Sequence, residues 1–251
     1  NSIDEFNALM KKHKGKVAAV VMEPIRNNYP VDGFLDKIRT AATEAGVVLI
    51  FDEITAGFRL CAGGSHKVLG IEPDMAVFAK GLTNGYPLSA VIGRREVMEA
   101  AQGTFISSTF YTERVAFAAT LKSVELYERY RVWEKQDEYG RMVQEGWKEK
   151  AGKHGLEIEI GGIRPLGHFS IIGNENALVY KTFFVQEMLK RGYIASNAFY
   201  TSYAHSKEII DGYLECVDEV FGLIAEIGRR GERVEDRLQG DVCHSGFGRL
   251  N

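Results

Sequence analysis

The chain has 251 residues, 45% of them hydrophobic and 26% charged, and its 31 basic against 34 acidic side chains leave a formal charge of −3. That length and balance support a sizeable core, in one large domain or a large domain with a smaller one, and exclude a disordered chain or a small disulfide scaffold. There is no basic excess of the kind nucleic-acid binding needs and no apolar run near the ~20 residues of a membrane span, so neither partner is expected. Cys61, Cys216 and Cys243 are odd in number and widely spaced. They fit neither a disulfide framework nor a zinc site and suggest a reducing, cytoplasmic setting. The opening residues, Asn1-Ser2-Ile3-Asp4, read as the interior of a longer protein.

In chain order, Asp4 to His13 is expected to be a short helix, with Phe6, Leu9 and Met10 on one face and acidic residues in the first turn. The run from Lys16 to Met22, ended by Glu23-Pro24, reads as a strand buried on both faces. Phe34 to Ala45 has helical spacing and stops at Gly46, and Val47 to Phe51 is a second buried strand ended by Asp52-Glu53. A Gly-rich loop (57–70) leads to a third strand, Asp74 to Ala79, ended by Lys80-Gly81. Strand, helix, strand, connection, strand is the pattern of a mainly parallel α/β sheet. Ser89 to Gly93 follows after too short a link for a crossover helix, so it is expected to run antiparallel to the third strand.

Glu113 to Arg131 reads as a helix with Phe117, Leu121, Val124 and Tyr127 on one stripe. Trp133 to His154 reads as a second helix whose Lys, Glu and Gln content places it on the surface. The texture changes near residue 156. Leu156–Ile160 and Gly167–Ile172 are strand candidates, Leu178–Arg191 is a helix, and Ser206 can cap a long final helix with Ile210, Tyr213, Val217, Val220, Phe221 and Ile224 inward. Residues 1–155 are thus assigned to a large domain and 156–251 to a smaller α+β domain with a polar, irregular tail after Gly228.

Three ionisable stretches occupy equivalent places: Glu23 ends the first strand, Asp52 and Glu53 the second, Lys80 the third. Parallel strands would bring them to one edge, beyond the carboxyl ends, where open α/β sheets bind ligands. A lysine on such a loop can form a Schiff base with an aldehyde, and pyridoxal 5'-phosphate (PLP) needs that lysine together with a carboxylate beside its ring nitrogen. Asp52, the first polar residue after its apolar run, is the evident carboxylate. Singly, each residue has an ordinary reading: an Asp caps a turn, a Lys before Gly is a solvated surface group, a Glu-Pro is a turn. Their combination carries the argument.

The stretches Glu23-Pro24, Phe51-Asp52-Glu53-Ile54-Thr55-Ala56-Gly57-Phe58-Arg59 and Ala79-Lys80-Gly81-Leu82-Thr83-Asn84-Gly85-Tyr86-Pro87 resemble the class III aminotransferases. Those are fold-type I PLP enzymes, and the nearest resemblance is to glutamate-1-semialdehyde aminomutase and its relatives. The resemblance implies that Lys80 carries the cofactor and shuttles a proton, that Asp52 pairs with the pyridinium nitrogen, and that Ile54 packs on one ring face. It further implies that Glu53 supports the site by hydrogen bonds, that Glu23 lies on the substrate side, and that Thr109 binds the cofactor phosphate across a homodimer interface. The substrates implied are small amino and keto compounds. His205 and Arg164 are weaker substrate-side candidates, each with a structural reading as good or better.

The sequence departs from that family at Tyr111-Thr112-Glu113-Arg114, where small residues and Asn-Pro usually follow the phosphate threonine. It also lacks the family's N-terminal portion, which holds a second phosphate-binding loop and the aromatic over the other ring face. The alternative to an enzyme is therefore a non-catalytic or truncated relative that keeps the fold for assembly.

Overall fold

The computed structural model describes residues 2–31 and 33–246. The expected tail lies partly outside these, since 247–251 are not among them. The chain divides into two compact units, Asn1–Glu134 and Lys135–Asn251.

The first unit holds α1 (Ile3–Lys12), β1 (Ala19–Met22), α2 (Phe34–Glu44), β2 (Val48–Asp52), a one-turn α3 (His66–Leu69), β3 (Met75–Phe78), β4 (Ala90–Gly93), a one-turn α4 (Arg95–Met98) and α5 (Arg114–Arg129). Its four-stranded sheet runs in the order β1-β2-β3-β4. The first three strands are parallel, with Met22 opposite Phe51 and Asp52 opposite Val77, and β4 is antiparallel to β3 as the short link requires. Asp74 fixes the start of β3. Its carboxylate accepts from the Leu49 backbone N–H at 2.8 Å and from Arg39 at 2.9 Å, and Arg94 lies 3.2 Å away.

The strands are not buried on both faces. β2 and β3 alternate, with Leu49, Phe51, Ala76 and Phe78 buried and the residues between them only partly covered, and β1 is exposed or half-exposed throughout. The physical reason is that the apolar packing among the described residues lies on one side. The α2 stripe Phe34, Leu35, Ile38 and Ala42 packs with Leu49, Phe51 and Ile71, while Val20 and Met22 edge the same cluster. Each large side chain so buried contributes roughly 1.5–3 kcal/mol. On the opposite face Val21 is 66% and Val91 45% exposed. The stripe expected on α5 is likewise not buried as a whole. Phe117 and Leu121 are exposed, while Tyr127 enters the cluster with Phe58, Ala76, Phe78 and Leu82 and Val124 packs against it.

The second unit is built from α6 (Val132–His154), β5 (Glu157–Gly161), β6 (Leu166–Ile172), α7 (Ala177–Lys190), β7 (Ala198–Tyr200) and α8 (Lys207–Arg229). Its sheet is antiparallel, in the order β5-β6-β7. Ser206 caps α8 by accepting from the Ile209 N–H, as its sequence position indicates. This compact unit begins at Lys135 and takes in most of α6, whose buried positions belong to its core. Beneath its charged composition, Tyr139, Val143, Trp147 and Ala151 recur every fourth residue and are buried with Phe169, Phe184 and Phe221. Gly140 lets the helix approach the backbone, since a Cβ there would stand 2.0 Å from the Arg164 carbonyl oxygen. No helix of the described residues is long and apolar enough to cross a membrane.

Candidate active site

The C-terminal ends of β1, β2 and β3 deliver Glu23, Asp52 and Lys80 to one edge of the first unit's sheet. Asp52 is the last residue of the β2–β3 ladder, and the Glu53 N–H continues it by donating to the Val77 carbonyl at 2.9 Å. Consecutive strand residues point to opposite faces, so these neighbouring acids have different surroundings. Asp52 is half-buried, and its Oδ1 accepts from the Ile54 N–H at 2.9 Å, which orders the turn. Its other oxygen has no partner among the described residues.

Glu53 is fully buried. Its Oε2 accepts from the Ser65 N–H (2.9 Å) and Oγ (2.8 Å), and its Oε1 meets the His66 N–H and Nδ1, each at 2.9 Å. Burial pushes this carboxyl up, yet the hydrogen bonds from His66 and Ser65 outweigh it and hold the pKa below its ordinary value. Both oxygens are thus engaged by the loop after β2. Gly64 permits the arrangement, because a Cβ there would lie 2.3 Å from the His66 ring and 3.0 Å from Glu53 Oε1.

Lys80 stands two residues beyond β3 with φ +45° and opens the 3-10 turn Lys80–Leu82. A non-glycine residue in the left-handed region costs about 1–2 kcal/mol, which the surrounding packing must supply. Its Nζ donates to Thr55 Oγ1 at 2.9 Å, and Thr55 is buried. Among the described residues Lys80 has no carboxylate within ion-pair distance, so the amine is not committed to a salt bridge. Thr55 is the participant that sequence reasoning missed. It sits inside the quoted Asp52–Arg59 stretch, but its pairing with a lysine 25 positions away is set by the sheet.

Glu23 has one oxygen 2.9 Å from Arg26 and a second, Oε2, that is buried with no hydrogen-bond partner among the described residues. Ile54 is half-buried in the same turn as Asp52. Thr109 is exposed, in a stretch where Phe105 (97%) and Phe110 (74%) are also largely uncovered. His205 and Arg164 belong to the second unit. The His205 Nδ1 accepts from the Ser202 N–H at 3.1 Å, its ring lies against Phe199, and burial lowers its pKa. Arg164 pairs with Asp137 at 2.7 Å. Both therefore have local structural duties.

The edge thus brings together a primary amine without a counter-ion, a hydroxyl holding it, and a carboxylate with an open acceptor position. This set can bind an aldehyde through the amine and a protonated ring nitrogen through the carboxylate. Among the described residues there is no cluster suited to a metal ion.

Comparison with known proteins points the same way. A curated glutamate-1-semialdehyde 2,1-aminomutase of Syntrophobacter fumaroxidans is 30% identical, over 90% of this chain and 57% of its own length. The PLP internal aldimine form of the FumI protein of Sphingopyxis sp. MTA144 superposes with a TM-score of 0.83 at 24% identity, covering 91% of this chain and 57% of that one. An omega-transaminase from Sphaerobacter thermophilus gives 0.81 at 22% identity, covering 90% and 56%. The chain therefore spans somewhat over half the length of these relatives, and shares the α/β fold of the transaminase structures. The Aminotransferase class-III family model matches residues 1–214, and with the motif residues placed as above, the chain belongs to the class III aminotransferases.

Proposed function

We propose that this chain supplies the reactive lysine and the ring-nitrogen carboxylate of a PLP-dependent amino-group transfer. The observation that carries the reading is the delivery of Lys80 and Asp52 to the same edge of adjacent parallel strands, with Thr55 Oγ1 2.9 Å from Lys80 Nζ. When bound, PLP supplies an electron sink for the bonds at the amine-bearing carbon. Lys80 Nζ is the group that holds the cofactor's aldehyde carbon and moves a proton at the substrate carbon. Thr55 orients that amine. Asp52 keeps a proton on the ring nitrogen through its open oxygen, and Ile54 packs beside the ring. Glu53 acts from behind, by fixing the turn that carries Asp52 and Thr55. The buried, unpaired Glu23 Oε2 is an acceptor suited to a substrate ammonium.

Thr109 is proposed to serve the cofactor phosphate in a homodimer; its exposure among Phe105, Phe110 and Tyr111 supports a covered position in an assembly. His205 and Arg164 are retained as substrate-side candidates of lower rank. The substrate class is a small amino or keto compound, and the aminomutase likeness favours return of the amine to the same molecule. Free thiols at all three cysteines accord with a cytoplasmic setting.

The test is to incubate the protein with PLP, reduce with borohydride and map the modified peptides. A single dominant adduct on Lys80 is expected, and an adduct on another lysine, or a scatter over surface lysines, refutes the assignment. Following products with and without a keto-acid acceptor separates the two outcomes, because a strict need for the acceptor rules out a pure mutase.

A further inference from the structure

Phe58, φ +58°, in the loop after β2, and Lys80, φ +45°, after β3, both adopt the left-handed conformation. They meet through Gly81. A Cβ on Gly81 would lie 3.0 Å from the Gly57 carbonyl oxygen, 3.2 Å from Phe58 Cβ and 3.8 Å from the Phe58 carbonyl oxygen, so the Gly57–Phe58 segment is the wall against which the Lys80–Gly81 turn rests. Gly57 is equally confined, since its own Cβ would stand 2.5 Å from the Glu53 carbonyl oxygen. What then holds Phe58 in its unfavourable conformation? Its N–H donates to the Gly63 carbonyl at 2.8 Å. Its ring stacks edge-on against Phe78 (6.0 Å between centroids) and Tyr127 (5.5 Å). Its carbonyl accepts the hydroxyl of Tyr127, a buried residue on α5. Burial raises the pKa of that phenol, so it remains a proton donor.

We infer that Tyr127 is a positioning residue for Lys80, acting through Phe58 and Gly81, which rests on the reading of Lys80 given above. The phenol fixes the Phe58 carbonyl, the fixed Phe58 backbone buttresses Gly81, and the buttressed turn keeps Lys80 left-handed with Nζ on Thr55. Removing the hydroxyl while keeping the ring should leave the cluster packed but loosen the wall.

The experiment compares the protein with its Tyr127→Phe variant in timed PLP labelling and borohydride trapping over a range of pH. The adduct on Lys80 is measured relative to that on exposed Lys37 of α2 in the same sample. The Lys80/Lys37 ratio is expected to fall about 3- to 10-fold in Tyr127→Phe, the equivalent of one buried hydrogen bond. Val124→Ala, which trims a side chain packed against the same cluster but leaves the Tyr127–Phe58 hydrogen bond in place, is the control and should leave the ratio unchanged. An unchanged ratio in Tyr127→Phe, or an equal fall in Val124→Ala, overturns the inference while leaving Lys80 as the trapped residue. Trapping of some other lysine in the unsubstituted protein overturns the Lys80 reading, and this inference with it. If Tyr127→Phe does not fold, Gly81→Ala tests the other end of the same chain of contacts: it should lower the ratio, and an unchanged ratio again overturns the proposal.

Discussion

Replacing Glu53 by Gln tests the account of the support beneath the candidate site, because it keeps size and shape and changes only charge and donor pattern. The carboxylate receives four hydrogen bonds, two at each oxygen, from Ser65 and His66. An amide can present its oxygen to only one of those pairs. On the other side its NH2 faces the backbone N–H of Ser65 or His66, a donor against a donor. Ser65 Oγ can rotate and accept, but a backbone N–H is left unsatisfied at about 1–3 kcal/mol. The bonds that survive lose their charge assistance, about 1 kcal/mol each. Part of this is offset because a neutral amide is cheaper to bury than a carboxylate. The net loss is about 3 kcal/mol, within the range for breaking a buried charged cluster. Urea unfolding at neutral pH, followed by tryptophan fluorescence and by circular dichroism, measures it. The pH dependence supplies the second arm. The folded carboxyl titrates below its unfolded value, so its contribution is complete above the unfolded value and is lost as the pH falls through the folded one. The two stability curves should therefore converge in acid and separate toward neutrality. A difference under about 1 kcal/mol at neutral pH, or one that does not shrink in acid, would refute the reasoning.

Three further outcomes follow from single contacts. Thr55→Val removes the hydroxyl 2.9 Å from Lys80 Nζ and should slow Lys80 trapping about 3- to 10-fold with the unfolding midpoint little changed; an equal rate would take Thr55 out of the site. Gly140→Ala puts a Cβ 2.0 Å from the Arg164 carbonyl oxygen, and calorimetry should show a loss of about 1–3 kcal/mol. Tyr213→Phe strips the acceptor 2.9 Å from the buried Trp147 Nε1 and should cost about 1–3 kcal/mol in denaturant unfolding. A neutral result there would mean that the indole N–H finds water.

The parallel strands and the residues at their ends were legible because apolar runs stop abruptly at Glu23, Asp52 and Lys80. The antiparallel direction of β4 followed from the length of one link. What stayed hidden depends on partners far along the chain. Tyr127 meets Phe58 across 69 positions, and nothing local marks the two as a pair. The donors to Glu53 come 12 and 13 residues later, inside a loop read only as Gly-rich. Composition misled at α6, where charged residues between the buried positions masked a four-residue apolar recurrence. The three-residue β7 is too short to show a period. The expected burial of β1 failed for a different reason: an apolar run records that a strand has two apolar faces, not that both are covered within this chain.

That last point bears on how the protein behaves in a tube. The face of the sheet carrying Val21 and Val91 leaves apolar side chains exposed, and it is bounded by β1, an edge strand in the sheet order of the described residues. Wetting such a face forgoes roughly 25 cal/mol for every Å² that a neighbour would cover, and an edge of this kind templates further pairing. Association through this face is expected to limit the usable concentration. Turbidity should set in with rising concentration while circular dichroism still reports native secondary structure, and a lysine at position 21 should postpone it without altering the melting temperature.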